Sequence, residues 1–297
     1  LAGELMFKVT GISSKNEVDD EDRDFNSEIG KQMVEVLGEE RRARIISALF
    51  VCRSDVSGIV RATTVDIWKA LVPNTPRTIK EILPELTSTI VVHLASSSRT
   101  LRLIAAQTLG DLVRRVGGNA LSQLLPTLKH SLETSSDPNS KQGVCIALHE
   151  LIQSSNSDSL DEFQDFIVNI ICSTVIDEDE SVREAAASCF DVYEEVVGKV
   201  AIDEIIPFLL NKLKEPESSE YALSALQEIM ATKSEVIFPI LIPTLLTPPI
   251  DSFKANALGS LAEVAGPALY KRISTIINSV VNTLIETDDE DTKHSLE

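Results

Sequence analysis

The stretch DEDESVREAAASCF, residues 177–190, decides the fold of this chain. Its first four residues are acidic and typical of a turn. Beyond the turn, apolar side chains recur at the three- and four-residue spacing of one helix face, at positions 182, 185, 186, 189 and 190. Arg183 opens this helix, and the large apolar residue Phe190 follows seven positions later. The stretch therefore predicts a turn followed by an amphipathic helix.

The same helix start returns about every forty residues. A basic residue is followed seven positions later by a large apolar one in four pairs: Arg61 with Trp68, Arg102 with Leu109, Lys141 with Leu148, and Arg183 with Phe190. Weaker copies run from Ser219 to Leu226 and from Lys254 to Leu261, so that successive spacings are 41, 39, 42, 36 and 35 residues. A period of this size, filled by two helices, predicts an all-α fold, an α-solenoid of about six to seven HEAT repeats.

Prolines and turn residues place the helices in pairs. The first helix of a pair carries a proline in an apolar run, at Pro84, Pro126, Pro207 and Pro243. The second follows a polar turn, with expected N-caps at Ser98, Asp137, Asp177 and Asp251. The predicted pairs are 29–53 with 56–73, 76–96 with 99–116, 118–135 with 138–154, 159–176 with 179–198, 200–214 with 217–232, and 234–247 with 251–265. A last helix is predicted at about 267–287.

The repeat covers nearly the whole chain. We expect residues 1–297 to form a single HEAT-repeat solenoid fragment. Residues 13–27 are acidic and nearly free of apolar side chains, which predicts an acidic mobile loop, and residues 288–297 read as an acidic polar tail. The chain begins at Leu1 without Met and shows no signal-peptide pattern, so we expect it to be part of a longer protein.

The net charge of −19 is unevenly distributed. Residues 1–148 hold 18 basic and 18 acidic side chains, whereas residues 149–297 hold 9 and 28 and carry the whole excess. The acidic half repels phosphates and suits a basic protein partner, or it serves solubility alone. Arginines gather in the first half, at Arg41, Arg42, Arg44 and Arg53 and again at Arg99, Arg102, Arg114 and Arg115. A contact with RNA through this half is a third possibility, but without interleaved aromatic residues we expect no direct nucleic-acid contact.

The residues that chemistry requires are missing. The acids at 177–180 stand in a turn with no His, Tyr or Lys beside them, and we interpret them as solvated charge. No glycine-rich phosphate loop occurs, and the four cysteines and four histidines lack metal-ligand spacing, so we interpret the cysteines as reduced, buried thiols. No apolar run reaches the roughly 18 residues of a membrane span. We therefore predict no catalytic residue, cofactor, metal or membrane contact, and a protein that binds proteins.

Arg183 is the candidate partner-binding residue. Between Lys141 and Lys199 it is the only basic side chain, among thirteen acidic ones. One interpretation is structural, because a turn Asp in HEAT repeats pairs with an Arg six residues on, as Asp177 would with Arg183. The other is that its guanidinium reaches a partner carboxylate in bidentate fashion. Trp68, at the core position of its repeat, we interpret as packing.

Five segments carry a resemblance to a known family: NTPRT (74–78), LGDLVRR (109–115), KQGVC (141–145), SVREAAA (181–187) and LTPP (246–249). The chain resembles the C-terminal HEAT region of the large eukaryotic translational activator of general amino acid control. This resemblance implies a module that binds the RWD domain of the kinase of translation initiation factor two alpha. It also implies a cytoplasmic scaffold that associates with ribosomes through the full-length protein and supports kinase activation during amino acid starvation.

The resemblance also bears on the site. An arginine in this region is linked to kinase binding in the family, and its best match here is Arg183. The alternative hypothesis is a HEAT-type transport receptor, or a general interaction scaffold, with an acidic binding surface. Salt dependence separates the two, because a patch centred on Arg183 prefers an acidic partner whereas an acidic surface prefers a basic one.

Overall fold

The computed structural model describes residues 33–72, 74–116 and 121–296, which are helical for the most part and contain no β-strand. The predicted acidic loop 13–27 lies outside the described residues. After a short helix at 33–37 the helices are α1 (Glu39–Cys52), α2 (Gly58–Leu71), α3 (Thr75–Leu94), α4 (Arg99–Val116), α5 (Leu121–Thr134), α6 (Pro138–Gln153), α7 (Ser157–Asp161), α8 (Gln164–Thr174), α9 (Glu180–Val197), α10 (Lys199–Lys212), α11 (Ser219–Leu245), α12 (Ser252–Ala265), α13 (Pro267–Tyr270), α14 (Ile273–Glu286) and α15 (Glu290–Leu296). They form two compact units that divide between Ser155 and Asn156.

The first unit contains three successive helix pairs. Helix α1 packs on α2, α3 on α4, and α5 on α6, while α1 also packs along α3 and α4 along α6. The large apolar residues that mark the repeat are buried between them, with Trp68, Leu109 and Leu148 exposing 4%, 1% and 0% of their surfaces. Burial of these side chains confirms that the forty-residue period places one core position in each pair, and that Trp68 is a packing residue.

The second unit continues the alternation. Helix α8 packs on α9, α10 packs on α11, and α11 packs on both α9 and α12. Helix α11 consists of two helical segments joined by a kink at Lys233, whose φ of −122° and ψ of 31° are not helical. We call the part of α11 before Lys233 its first arm and the part after Lys233 its second arm. The core positions Phe190, Leu226 and Leu261 are fully buried.

Predicted and observed helices agree in type and order, so the all-α HEAT-repeat class is confirmed. Three predicted helices are divided in the structure. The helix predicted at 29–53 is divided at Gly38, whose φ is 78°, into the helix at 33–37 and α1. The helix predicted at 159–176 is interrupted at Phe163 between α7 and α8, and the last helix is interrupted at Lys271 and Arg272 between α13 and α14. The segment 288–297, predicted as an acidic tail, includes α15, which packs on α12. Whether residues 1–297 form one continuous solenoid stays a prediction.

Turn chemistry explains where the second helices begin. The Asp137 carboxylate accepts the amides of Asn139 and Ser140, and the Asp251 carboxylate accepts the amide of Lys254, as expected for N-caps. Ser98 directly precedes α4. The expected cap at Asp177 is wrong, because α9 begins later and Asp179 caps it by accepting the amide of Ser181 at 2.9 Å. A further hydrogen bond, from the Ser181 hydroxyl, lowers the pKa of Asp179.

Candidate functional site

Arg183 lies in the first turn of α9, where its guanidinium closes the acidic turn before the helix. Its Nη1 atom donates to the carbonyl oxygens of Asp177 at 2.8 Å and Glu178 at 2.9 Å. The predicted pairing of positions 177 and 183 is therefore made through the main-chain oxygen of Asp177. The carboxylate of Asp177 accepts the Asp179 amide at 3.1 Å and so shapes the same turn. Arg183 has a structural role as a turn clamp.

Two residues of the following repeat hold the rest of the Arg183 side chain. Nε donates to Ser224 Oγ at 3.3 Å, and Cζ lies 5.4 Å from the centroid of the Tyr221 ring. Both residues belong to the first arm of α11, so Arg183 joins two neighbouring pairs. Within the described part of the chain Nη2 makes no hydrogen bond, which leaves its two N–H donors for a partner.

This geometry restricts how a carboxylate can approach Arg183. A guanidinium has five N–H donors, and both donors of Nη1 already point to carbonyl oxygens. The end-on bidentate approach across Nη1 and Nη2 is therefore closed. A side-on bidentate approach through Nε and Nη2 requires a carboxylate oxygen to replace Ser224 Oγ, whose 3.3 Å contact is long for a hydrogen bond. A single-point contact at Nη2 displaces none of these hydrogen bonds.

The clamp recurs at other repeat positions. Arg61 Nη1 donates to the carbonyl oxygens of Asp55 at 2.6 Å and Val56 at 2.9 Å, which matches the contacts of Arg183. Lys254 Nζ donates to the carbonyl oxygens of Thr247 at 2.9 Å and Pro249 at 2.8 Å. A basic residue at the helix start therefore holds the preceding turn in both units. This recurrence explains why basic residues define the period.

Arg102 is the most buried member of this set. It exposes 5% of its surface and donates to the carbonyl oxygen of Ser96 at 2.7 Å, to Asn139 Oδ1 at 3.0 Å and to Gln142 Oε1 at 2.5 Å. Its Nε atom is buried without a partner among the described residues. Burial and the positive charge of Arg99 lower the pKa of Arg102. The sequence marked this position as a repeat landmark but did not predict its burial or its amide partners.

Three arginines of the first unit, on α1 and α3, are paired with neighbouring acids. Arg42 lies 3.4 Å from Glu81, Arg77 lies 2.9 Å from Glu81, and Arg44 lies 2.8 Å from Glu40. These pairs join α1 to α3 or lie along one helix. These three paired arginines offer little free charge to phosphates, which weakens the RNA hypothesis for this edge.

Acids of the second unit are also partly paired. Lys233, at the bend of α11, binds Glu194 at 2.9 Å and approaches Glu195 at 3.6 Å, and these acids raise the pKa of Lys233. Asp191 accepts from the Thr232 hydroxyl at 2.9 Å, although burial raises the pKa of Asp191. The acidic surface of this unit thus contributes contacts between α9 and α11, besides any contact with a partner.

The predictions on metal sites, membrane spans and cysteines can be compared with the described residues. No group of three or more potential metal-binding side chains occurs among them, and none of their helices is long and apolar enough to cross a membrane. All four cysteines are reduced thiols that form no disulfide among the described residues. Cys145 and Cys189 are buried as predicted, whereas Cys52 and Cys172 are partly exposed.

The paired helices, inward core positions and turn clamps define a HEAT-repeat α-solenoid protein. Among solved structures, the karyopherin Kap121p bound to the extreme C-terminus of the protein phosphatase Cdc14p has a similar fold, with a TM-score of 0.50 over 94% of this chain and 32% of that chain. At 16% sequence identity this likeness shows the fold alone. A sequence model described as "Stalled ribosome sensor GCN1-like, HEAT repeats" matches residues 70–228 and 237–297. The chain belongs to this family, which confirms the predicted resemblance.

Two curated relatives show the extent of the match. The chain is 65% identical over 298 residues to "eIF-2-alpha kinase activator GCN1" of Saccharomyces cerevisiae, covering 100% of this chain and 11% of the relative. It is 39% identical over 296 residues to "Stalled ribosome sensor GCN1" of Homo sapiens, covering 98% of this chain and 11% of the relative. The chain therefore spans about 11% of the length of these proteins.

Proposed function

We propose that this chain is a non-catalytic docking module of a scaffold that activates an eIF-2-alpha kinase. The observation that carries the proposal is the 65% identity, over the whole chain, to a relative named for that activation. Because the chain spans about 11% of the relative, activation belongs to the larger scaffold, and the contribution of this region is binding. A scaffold that works on ribosomes acts in the cytoplasm, and the ribosome contact belongs to the full-length protein.

The proposed partner is the RWD domain of that kinase, which supports kinase activation during amino acid starvation. The resemblance of SVREAAA (181–187) to the family's kinase-binding region supports this choice. The site chemistry is compatible with it, because Arg183 keeps the Nη2 donors available after its clamp contacts are made. We propose that Nη2 donates to a carboxylate of the RWD domain.

The test must separate a lost contact from a lost clamp. Arg61 provides the matched control, because it makes the same two carbonyl contacts at the other unit's turn. Calorimetric titration with purified RWD domain should show that Arg183→Ala weakens binding by about tenfold or more, the loss expected for a charged hydrogen bond. Arg61→Ala should bind as the wild type does. Unchanged affinity in a folded Arg183→Ala variant would remove Arg183 from the site, and absence of wild-type binding would refute the RWD proposal.

The transport-receptor alternative makes a different prediction. An acidic surface that grips basic signals should bind a lysine-rich peptide, and the affinity should fall steeply with salt because exposed charges are screened. The solved karyopherin shares the fold alone, so it gives this alternative no added support. If the chain binds the lysine-rich peptide more tightly than the RWD domain, the alternative is favoured.

A further inference from the structure

A second group of arginines in the first unit is not explained by turn clamping. We name Arg53, Asp111, Arg114 and Arg115 the Arg53 cluster. Arg53 follows α1, and its Cζ lies 5.4 Å from the centroid of the Phe50 ring and 5.2 Å from that of Trp68. The two rings meet edge to face, with centroids 5.4 Å apart. Both residues are buried, with 1% of the surface of Phe50 and 4% of that of Trp68 exposed. The guanidinium of Arg53 is therefore held by cation–π contacts with two buried aromatic rings.

The charges of the Arg53 cluster are unbalanced. Asp111 is engaged by Arg114, whose Nη2 lies 2.6 Å from its carboxylate and whose Nη1 donates to Ser154 Oγ at 2.6 Å. The guanidiniums of Arg53 and Arg115 have no hydrogen-bond or ion-pair partner within the described part of the chain. Burial lowers the pKa of Arg53, and the positive charge of Arg115 lowers it further. Arg53 and Arg115 therefore carry like charges, while the carboxylate of Asp111 is already paired with Arg114.

We propose that the Arg53 cluster is a docking site for an acidic segment of a partner protein, whose carboxylates bind Arg53 and Arg115. A carboxylate there relieves the repulsion between the two guanidiniums and fits the fork of donors that each presents. Arg53 is already held by Phe50 and Trp68, so little side-chain freedom is lost on binding.

Two observations favour an acidic protein over RNA as the occupant. Nucleic-acid binding draws on many phosphate contacts along a basic stripe, whereas Arg42 and Arg44 on the neighbouring α1 are paired with Glu81, Glu40 and Glu85. Single-stranded RNA also needs exposed rings for base stacking, and the rings beneath Arg53 are buried. Two free guanidiniums match a short run of carboxylates better than an extended backbone.

The experiment uses Trp68, the sole tryptophan of the sequence, as the reporter. Because Arg53 lies over its ring, a carboxylate that arrives at Arg53 should change Trp68 fluorescence. The full chain is titrated at low salt with a short polyglutamate peptide and, separately, with an oligouridylate of equal charge. We expect saturable binding of the peptide. The Arg115→Gln substitution, at an exposed residue, should weaken this binding about tenfold. Arg53→Gln should also weaken it when followed by peptide fluorescence anisotropy.

Arg44→Gln is the matched control, since Arg44 is exposed on α1 but paired with Glu40 and Glu85. It should bind the peptide as the wild type does, and far-UV circular dichroism should be unchanged in all three variants. No saturable binding of the peptide, or an equal loss in Arg44→Gln, would overturn the docking site. Tighter binding of the oligouridylate than of the peptide would overturn the assignment to an acidic protein.

Discussion

Replacing Arg102 by alanine should destabilise the first unit by about 3 kcal/mol. Its guanidinium makes hydrogen bonds to Ser96, Asn139 and Gln142, which join the turn before α4 to the start of α6. Alanine removes all three and leaves the part-buried carbonyl oxygen of Ser96 without this donor. The clamp is therefore predicted to stabilise two neighbouring repeats at once.

The magnitude is a difference between opposing effects. Three hydrogen bonds from a charged donor are worth roughly 4–9 kcal/mol in total. Keeping a guanidinium 5% exposed, with Nε unpaired and without a bound carboxylate, costs several kcal/mol in lost hydration. The half-buried amides of Asn139 and Gln142 can turn towards water when Arg102 is removed, which reduces the loss further. The remainder is about 3 kcal/mol.

Urea unfolding followed by Trp68 fluorescence measures this change, because Trp68 and Arg102 lie in the same unit. With a slope of about 2 kcal/mol per molar urea, the midpoint should fall by about 1.5 M. Arg102→Met, which keeps the packed stem, should show most of this loss, whereas the exposed control Arg44→Ala should cost about 0–1 kcal/mol. The reasoning is refuted if Arg102→Met unfolds at the wild-type midpoint, because the stem and not the hydrogen bonds would then stabilise the unit.

Gly143→Ala should destabilise the first unit by about 3 kcal/mol in thermal unfolding, because its Cβ would lie 2.0 Å from the Leu94 carbonyl oxygen. Gly259→Ala, with no atom within 4 Å, should stabilise α12 by about 0.5–1 kcal/mol. Burial raises the pKa of Tyr193 to about 12, so its phenol should ionise near pH 12 in the native chain, as measured by phenolate absorbance. Native stability should therefore fall as pH rises from about 10 through about 12. Burial also raises the pKa of Cys172 to about 12, so iodoacetamide should label it slowly near neutral pH.

Each of these predictions has a result that contradicts it. Equal unfolding temperatures for the two glycine variants would show that the backbone near Leu94 can move aside. Ionisation of Tyr193 at pH about 10, with a native circular dichroism spectrum, would mean that the phenol is solvated. Labelling of Cys172 at the rate of the urea-unfolded chain would show an accessible thiolate. For both titrations the unfolded chain is the control.

The helices could be predicted because the same sequence pattern recurs in each repeat. The helix predicted at 99–116 is α4, Arg99–Val116, and that predicted at 179–198 is α9, Glu180–Val197. The interruption at Phe163 was missed because no glycine or proline lies next to it in the sequence. The separation of α11 into two arms was predicted at the right place, although the junction is one residue, Lys233, instead of a loop.

The site was less predictable, because spacing does not identify atoms. A separation of six residues fits a carboxylate or a carbonyl oxygen of Asp177 equally well, and the structure uses the carbonyl. The partners in the next repeat were missed, yet the period contains a usable signal for them. Arg183 meets Ser224 after 41 residues, and Arg102 meets Gln142 after 40. Side chains one period apart are therefore the first candidates for contacts between neighbouring pairs.

Clamping and partner binding by Arg183 are compatible, because they use different donors. The clamp occupies Nη1, Ser224 and Tyr221 fix the guanidinium, and the Nη2 donors are left over. A guanidinium that is already immobile loses little entropy when a carboxylate binds. The contacts that make Arg183 look merely structural therefore also prepare it for recognition. Arg61 shares the two carbonyl contacts of the clamp, so the comparison between Arg183→Ala and Arg61→Ala isolates what the other contacts of Arg183 add.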